Sequence, residues 1–448
     1  MTDLIVEGGV RLSGQLTASG AKNSALPALV AAALADGGPV HLEHVPTDAD
    51  VATMIQLLRS LGVRVEIGPE PGGVTVYGGE LRTTEAPYTL VRRMRASFYV
   101  AGLLLARAKE ATVPLPGGCA LGSRPVDYHL RGFEAMGAAI QIEGGSMRAL
   151  APSGLAGTSI QLSRPSVGTT IQLMMTASLA RGTTTLENAA LEPEVVDVAS
   201  LLNLMGARIR GAGTPVVRIE GVEGLHGCRY AIIPDRIEIA TWLVAGAITA
   251  GEVEVHGALA EHLHMPLAKL KEAGYLIRQT PDMVALSTPP GLARPHAVDL
   301  ETAPYPGFPT DLQQPFAALL TIADGTSMVR ETIFDRFRYV DELRRMGADV
   351  RVERDTAIIR GVPRLTGARV EATDLRGGAA LLLAALAAEG ETRIENAEMI
   401  DRGYEALETK VAALGGRIRR EPGTRVPDGG VAEDWRAVFE GPLPARRS

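Results

Sequence analysis

The sequence predicts an α/β protein of two domains, each holding three repeats in an inside-out arrangement, with apolar helices within and sheets around them. Three observations predict it. One helix–glycine–strand phrase recurs six times, a second and almost wholly apolar helix precedes each copy, and short alternating strands follow both.

The phrase begins as LLRSLGVRVEI, ending at Ile67, and returns as FEAMGAAIQI, LLNLMGARIR, LAKLKEAGYLIR, ELRRMGADVRV and VAALGGRIRR. Its glycines are Gly62, Gly137, Gly206, Gly274, Gly347 and Gly415, a period of about 70 residues. A glycine directly after a helix suits the left-handed residue that ends it. The upstream helices read SALPALVAAALADG, ASFYVAGLLLARA, TTIQLMMTASLARG, EIATWLVAGAITAG, LQQPFAALLTIADG and RGGAALLLAALAAEG. Apolar on nearly every face, such helices belong inside a domain. Each repeat therefore reads strand, buried helix, strand, amphipathic helix, strand. A solenoid is the other reading of a long period, but its helices need an exposed face that these lack.

Composition narrows the function. The 448 residues suffice for two domains, and 46% hydrophobic against 22% charged residues predicts large cores in a soluble chain. A net charge of −7 argues against nucleic acid as a partner. Two cysteines, Cys119 and Cys228, form no disulfide framework, which fits a reducing cytoplasm. No signal peptide opens the chain, and no apolar run reaches membrane-spanning length. No metal-ligand spacing or nucleotide-binding glycine pattern occurs; His262 and His264 are the closest histidine pair and suit solvated or capping roles.

Polar residues gather where the buried helices begin: Lys22 and Asn23, Arg95 and Ser97, Ser166 and Gly168, Asp235 and Glu238, Asp311, Asp374 and Arg376. Free N–H groups and the helix dipole make such ends anion sites. Capping accounts for Ser97, Ser166 and Asp311 one at a time. It does not account for Lys22, Arg95 and Arg376, because cations are disfavoured at that end. Cations set against the dipole imply an anionic ligand between them. Arg402, in DRGYEALETK, is expected to open a helix in the same way.

Two segments add reactive groups. LPGGCALGSRPVDYH (Leu115–His129) reads as a long loop carrying Cys119, Arg124 and Asp127. A thiol near a cation has a lowered pKa and serves as acid or nucleophile, whereas Cys228 reads as a small buried hydrophobe. DLETAPYPGFPTDLQQ (Asp299–Gln314) leads into a buried helix, and its Asp311 is either an N-cap or a general base facing a hydroxyl.

Taken together, SGAKNSALP, MRAS, LPGGCALGSRPVDYH, PSVGTTI, PDRIE, ETAPYPGFPTD, ATDLRGGA and IDRGYE closely resemble the motifs of the UDP-N-acetylglucosamine 1-carboxyvinyltransferases, from about residue 3 to about residue 420. The resemblance implies a two-domain inside-out α/β barrel, the enolpyruvyl transferase fold, with the active site in the interdomain cleft. It implies phosphoenolpyruvate and UDP-N-acetylglucosamine as substrates, and no cofactor, metal, nucleic acid or membrane. Lys22, Arg124 and Arg402 would hold the phosphate of phosphoenolpyruvate, with Arg376 and Arg402 on its carboxylate. Asn23 and Asp311 would meet the sugar near its 3′-hydroxyl, with Ile333 also in the substrate site. Arg95, Ser166, Val167 and Gly168 would line the diphosphate; Arg124, Pro125, Val126, Asp127, Tyr128 and Arg164 would flank the uridine. Cys119, Asp311, Lys22 and Arg402 would be the catalytic set, and the loop cysteine would be the one that fosfomycin alkylates.

The implied domains are residues 22–233, carrying the Cys119 loop, and residues 1–21 with 234–420, carrying Asp311, Arg376 and Arg402. Residues 421–448 extend past the family's usual end and read as disorder or as a short surface helix near 431–439. Arg164 stands where the family commonly has Lys, and ETIFDRFRYVDE is one residue shorter than usual. Transfer to shikimate 3-phosphate, and a non-catalytic UDP-sugar-binding paralogue, are the alternatives.

Overall fold

The computed structural model describes residues 2–116, 126–423 and 435–439. Two compact units result. The Asp311 unit comprises 2–19 and 234–423 of the described residues; the Lys22 unit comprises 20–116, 126–233 and 435–439.

The Lys22 unit has three apolar helices at its centre, Lys22–Ala32, Val100–Ala108 and Val167–Ala177, which pack on one another. Their residues from Ala25 to Met175 anchor one continuous core. The Asp311 unit repeats the plan with Arg236–Ile248, Gln313–Leu320 and Leu375–Ala387. All residues of Arg236–Ile248 are buried, as its lack of a polar face predicts. Pro315 is the third residue of Gln313–Leu320, a position whose N–H has no partner within the helix in any case.

The six glycines of the repeated phrase adopt positive φ: 102° at Gly62, 96° at Gly137, 102° at Gly206, 102° at Gly274, 92° at Gly347 and 84° at Gly415. A side chain at that φ clashes with its own backbone, so glycine ends each amphipathic helix.

The repeat is richer than the sequence pattern suggests. After each of the first five glycines the chain forms two antiparallel strands, not one, as in Arg64–Ile67 with Val74–Tyr77 and Asp349–Glu353 with Thr356–Arg360. The returning strand of each was hidden because its alternation continues that of the first across a short turn. In the sixth repeat the amino-terminal strand Thr2–Glu7 takes the place of the returning strand, pairing antiparallel with Arg417–Pro422. Among the described residues five sheets have four strands and one has three; where the latter lacks its fourth, a lone parallel bridge joins Glu85 to Thr112.

The chain passes between units after Ser19 and after Ile233. On one side of these crossings Asp235 N–H donates to Ser19 O (2.9 Å); on the other Ala21 N–H donates to Ile233 O (2.7 Å). The second bond fixes the residue just before Lys22. No described helix is long and apolar enough to cross a membrane.

Candidate active site

Lys22 is the first residue of its helix and is buried. Its ammonium donates to Asp50 Oδ2 at 2.9 Å. Asp50 is itself buried, in the first turn of helix Ala49–Ser60, which Asp48 caps by accepting from Val51 N–H (2.8 Å). A buried ammonium needs a counter-charge, and Asp50 supplies one. Two residues on, Ser24 Oγ donates to Asp197, whose other oxygen accepts from Tyr230 OH at 2.6 Å. Burial pushes the Asp197 carboxyl above its ordinary range. Asn23 lies between these anchors, half-buried.

A second cluster in this unit forms around His129. Arg95 opens a 3-10 turn, Arg95–Tyr99, that runs into Val100–Ala108. His129 packs edge-on against Phe98, with ring centroids 5.5 Å apart. A Cβ on Gly168 would lie 3.6 Å from the His129 ring and 3.7 Å from Tyr99 OH. Arg95, Tyr99, His129 and Gly168 are thus neighbours. Burial first, and the Arg95 charge second, pull the His129 imidazole down to about 3, so it is neutral. Ser97 Oγ, Asp127 Oδ1 and His129 Nδ1 are buried without a hydrogen-bond partner among the described residues, which leaves capacity for a polar ligand or water.

Three features of this region depart from what its sequence predicts. Ser97 is not a cap; it lies inside the 3-10 turn, fully buried, whereas Ser166 is one, accepting from Thr169 N–H at 3.3 Å. Asp127, Tyr128 and His129 are not loop residues but open helix Asp127–Ala135, preceded by Val126. Cys228 is half-buried on the core's edge, not enclosed within it. Ser163 Oγ donates to Tyr128 OH (2.7 Å), which brings Val126–Tyr128 beside Arg164, an exposed side chain, and Ser166, Val167 and Gly168. Cys119, Arg124 and Pro125 lie outside the described residues.

In the Asp311 unit the chemistry centres on one carboxylate. Asp311 is the middle residue of the 3-10 turn Thr310–Leu312 and not a helix cap. Oδ1 accepts from Arg336 Nη1 at 2.6 Å, and Oδ2 from Arg376 Nη2 at 3.2 Å. Both arginine side chains are only 4% exposed, against 21% for Asp311. Arg336 also donates to Thr310 O (3.0 Å) and stacks 5.0 Å over the Phe334 ring; Arg376 stacks 5.3 Å over Tyr404. Burial alone would lower the Arg376 guanidinium, but Tyr404, Asp311 and Asp235 outweigh it and hold it above the ordinary range. Arg336 Nε and Arg376 Nη1 are buried with no acceptor among the described residues. Two buried N–H groups of permanent cations beside a carboxylate can receive an anion.

Glu331 organises the approach to this carboxylate. Its buried side chain accepts from Thr302 Oγ1 (2.9 Å), Thr310 Oγ1 (2.8 Å), Ile333 N–H (2.9 Å) and Phe334 N–H (3.1 Å). Ile333 is thereby held beside the Asp311 turn. Asp374 caps helix Leu375–Ala387 through Arg376 N–H and Gly377 N–H, each at 3.0 Å, so Arg376 is a cation in a first helical turn, as predicted. Arg402 is not. It is the C-cap of the short helix Glu398–Asp401, and the next helix begins only at Leu407, after Ala406 at φ 49°.

Several of these residues escaped the sequence reading. Asp50, Arg236, Glu331 and Arg336 are all buried charges, and Arg236 opens a buried helix with its guanidinium 5.7 Å from the Tyr305 ring. Arg236 carried the same signal as Arg376, a cation just after an aspartate cap. Arg336 carried none, since FDRFR reads as an ordinary charged surface turn.

The model for EPSP synthase (3-phosphoshikimate 1-carboxyvinyltransferase) matches residues 6–411. The chain belongs to the EPSP synthase family. Within that family it is 53% identical to UDP-N-acetylglucosamine 1-carboxyvinyltransferase 2 of Symbiobacterium thermophilum, over 93% of this chain and 98% of that protein. It is 51% identical to the UDP-N-acetylglucosamine 1-carboxyvinyltransferase of Saccharophagus degradans, over 94% and 100%. The crystal structure of the enolpyruvyl transferase NikO from Streptomyces tendae superposes with a TM-score of 0.84 at 28% identity, covering 94% of this chain and 99% of that one. EPSP synthase of Acinetobacter baumannii shares the fold, with a TM-score of 0.72 at 18% identity over 94% and 100%. The EPSP synthase family fold thus accounts for both three-repeat units.

Proposed function

We propose that this protein transfers the enolpyruvyl group of phosphoenolpyruvate to the 3′-hydroxyl of UDP-N-acetylglucosamine and releases phosphate, the first committed step of peptidoglycan synthesis, in the cytoplasm. The observation that carries this reading is Asp311 held between Arg336 and Arg376, with buried cationic N–H groups left over beside it. A carboxylate fit to take a proton stands next to donors fit to hold an anion. The acceptor sugar is inferred from the relatives: proteins 50–53% identical over nearly the whole chain bear that activity in their names.

The steps follow from the groups. Asp311 takes the proton of the 3′-hydroxyl as the sugar oxygen bonds to C2 of phosphoenolpyruvate. The methylene carbon gains a proton, for which Cys119 is the candidate acid, and a tetrahedral ketal forms. The C2–O bond to phosphate then breaks, inorganic phosphate leaves, and the new methyl group gives up a proton to restore the double bond. Lys22 and Arg402 would stabilise the phosphate, with Arg124 beside them, and Arg376 the carboxylate. Arg95, Ser166, Val167 and Gly168 would meet the diphosphate, and Val126 to Tyr128 with Arg164 the uridine. Each Asp311 oxygen accepts from an arginine, which orients the carboxylate, and each carboxylate oxygen has a second lone pair that can take a proton.

Phosphate release from phosphoenolpyruvate is the test. Release with UDP-N-acetylglucosamine and not with shikimate 3-phosphate is expected. Release with shikimate 3-phosphate would transfer the proposal to the other acceptor, and UDP-sugar binding without turnover would make the chain a binding protein.

A further inference from the structure

The helix that holds Asp50 is covered in a way its counterparts are not. Counting ten residues back from the terminal glycine places Ala52, before Gly62, opposite Val196, before Gly206. Val196 is 38% exposed, but Ala52 is 0% exposed. Six residues back, Ser200 is exposed and Gln56 is half-buried, where Arg93 Nη1 donates to it at 3.5 Å. In Ala49–Ser60 only Arg59 and Ser60 are exposed.

Part of the cover comes from the far end of the chain. Trp435–Val438 forms a 3-10 turn that packs against Ala49–Ser60, closed by Phe439 N–H donating to Arg436 O at 3.0 Å. Val438 and Phe439 are half-buried against the Lys22-unit core. The turn lies past residues 6–411, the part that matches the family, so the family fold does not require it.

We propose that residues 435–439 brace helix Ala49–Ser60 and, through Asp50, keep Lys22 in position, so that this carboxy-terminal segment tunes the binding of phosphoenolpyruvate. The link to Lys22 rests on the function proposed above; the bracing does not. The Trp435–Val438 turn packs on the helix while Val438 and Phe439 pack on the core that the helix belongs to, the helix carries Asp50 in its first turn, and Asp50 holds the Lys22 ammonium at 2.9 Å. A helix stripped of part of its apolar cover opens locally more often, without global unfolding.

The experiment compares the full chain, the double variant Val438→Ser/Phe439→Ser, the single variant Phe439→Leu, and a chain ending after Gly423. Hydrogen exchange over residues 49–60 and the KM of each substrate are measured. The double variant and the truncation should exchange about tenfold faster over 49–60, with helices Arg236–Ile248 and Leu375–Ala387 unchanged. KM for phosphoenolpyruvate should rise about threefold or more while that for UDP-N-acetylglucosamine stays within about twofold, and Phe439→Leu should restore both readouts. Unchanged exchange over 49–60 overturns the brace. Faster exchange with both KM values unchanged, or both raised equally, overturns the link to Lys22. If the full chain turns over neither acceptor, the proposed function fails while the exchange result still judges the brace.

Discussion

Arg336 Nη1 lies 2.6 Å from Asp311 Oδ1, and the same nitrogen lies 3.0 Å from Thr310 O. One buried guanidinium therefore ties both the side chain of Asp311 and the backbone of the turn that carries it. Glu331, five residues earlier, ties Thr310 from the other side through its hydroxyl. The carboxylate is oriented by its own segment before any substrate arrives.

Arg336→Lys keeps the charge but loses the planar guanidinium that stacks over Phe334 and so fixes the direction of both Nη1 bonds. The expected result is a fall in kcat of about a hundredfold, since small misplacement of a reacting group has that effect. KM for UDP-N-acetylglucosamine should change little. Steady-state kinetics decide it: an unchanged kcat would mean that Arg376 alone orients Asp311.

Asp311→Ala should lower kcat by about 10²–10⁴-fold, the range for losing a general base, with a smaller loss of UDP-sugar binding. It should not weaken phosphoenolpyruvate, because the variant frees two guanidinium groups that Asp311 now occupies. Calorimetric titration of each ligand distinguishes this from a role in sugar binding alone, for which both affinity and rate would fall together.

Of the two thiols, Cys119 should be the one fosfomycin alkylates. Burial pushes the Cys228 thiol up, which reduces the thiolate available to attack. Cys119→Ser should abolish labelling, read by intact mass. A label that persists and maps to Cys228 would remove Cys119 from the proposed mechanism.

Much of this architecture was legible because it rests on strong local signals. Six glycines that need a positive φ, and six helices with no polar face, state their positions in sequence directly. The charges at helix starts were legible for Lys22 and Arg376 by the same logic. What escaped were partners whose meaning is purely tertiary. Asp50 looks like an ordinary first-turn acid until Lys22 is seen 2.9 Å away, and Glu331 and Arg336 lie 20 and 25 residues from Asp311 with no periodic signal between them. Arg402 ends the short helix Glu398–Asp401 instead of beginning one, because the left-handed Ala406 holds the next helix back to Leu407, and no local pattern marks that conformation in an alanine.

His129 supplies a pH test of the other cluster. In the fold its imidazole is pulled from 6.5 down to about 3, by burial first and by Arg95 second. The native state therefore stays neutral where the unfolded chain takes up a proton. Above 6.5 neither state binds it and His129 adds no pH dependence. As pH falls from 6.5 toward 3, the unfolded state binds one proton more than the native, and stability is lost. The slope from this one group approaches about 1.4 kcal/mol per pH unit. His129→Gln removes the titration, so the stability difference between the natural protein and the variant should shrink steadily from pH 7 toward acid. Denaturant unfolding at several pH values reads it. Parallel curves for the two proteins would mean that the imidazole protonates within the fold, and would place a charge beside Arg95 where burial and that guanidinium now keep the ring neutral.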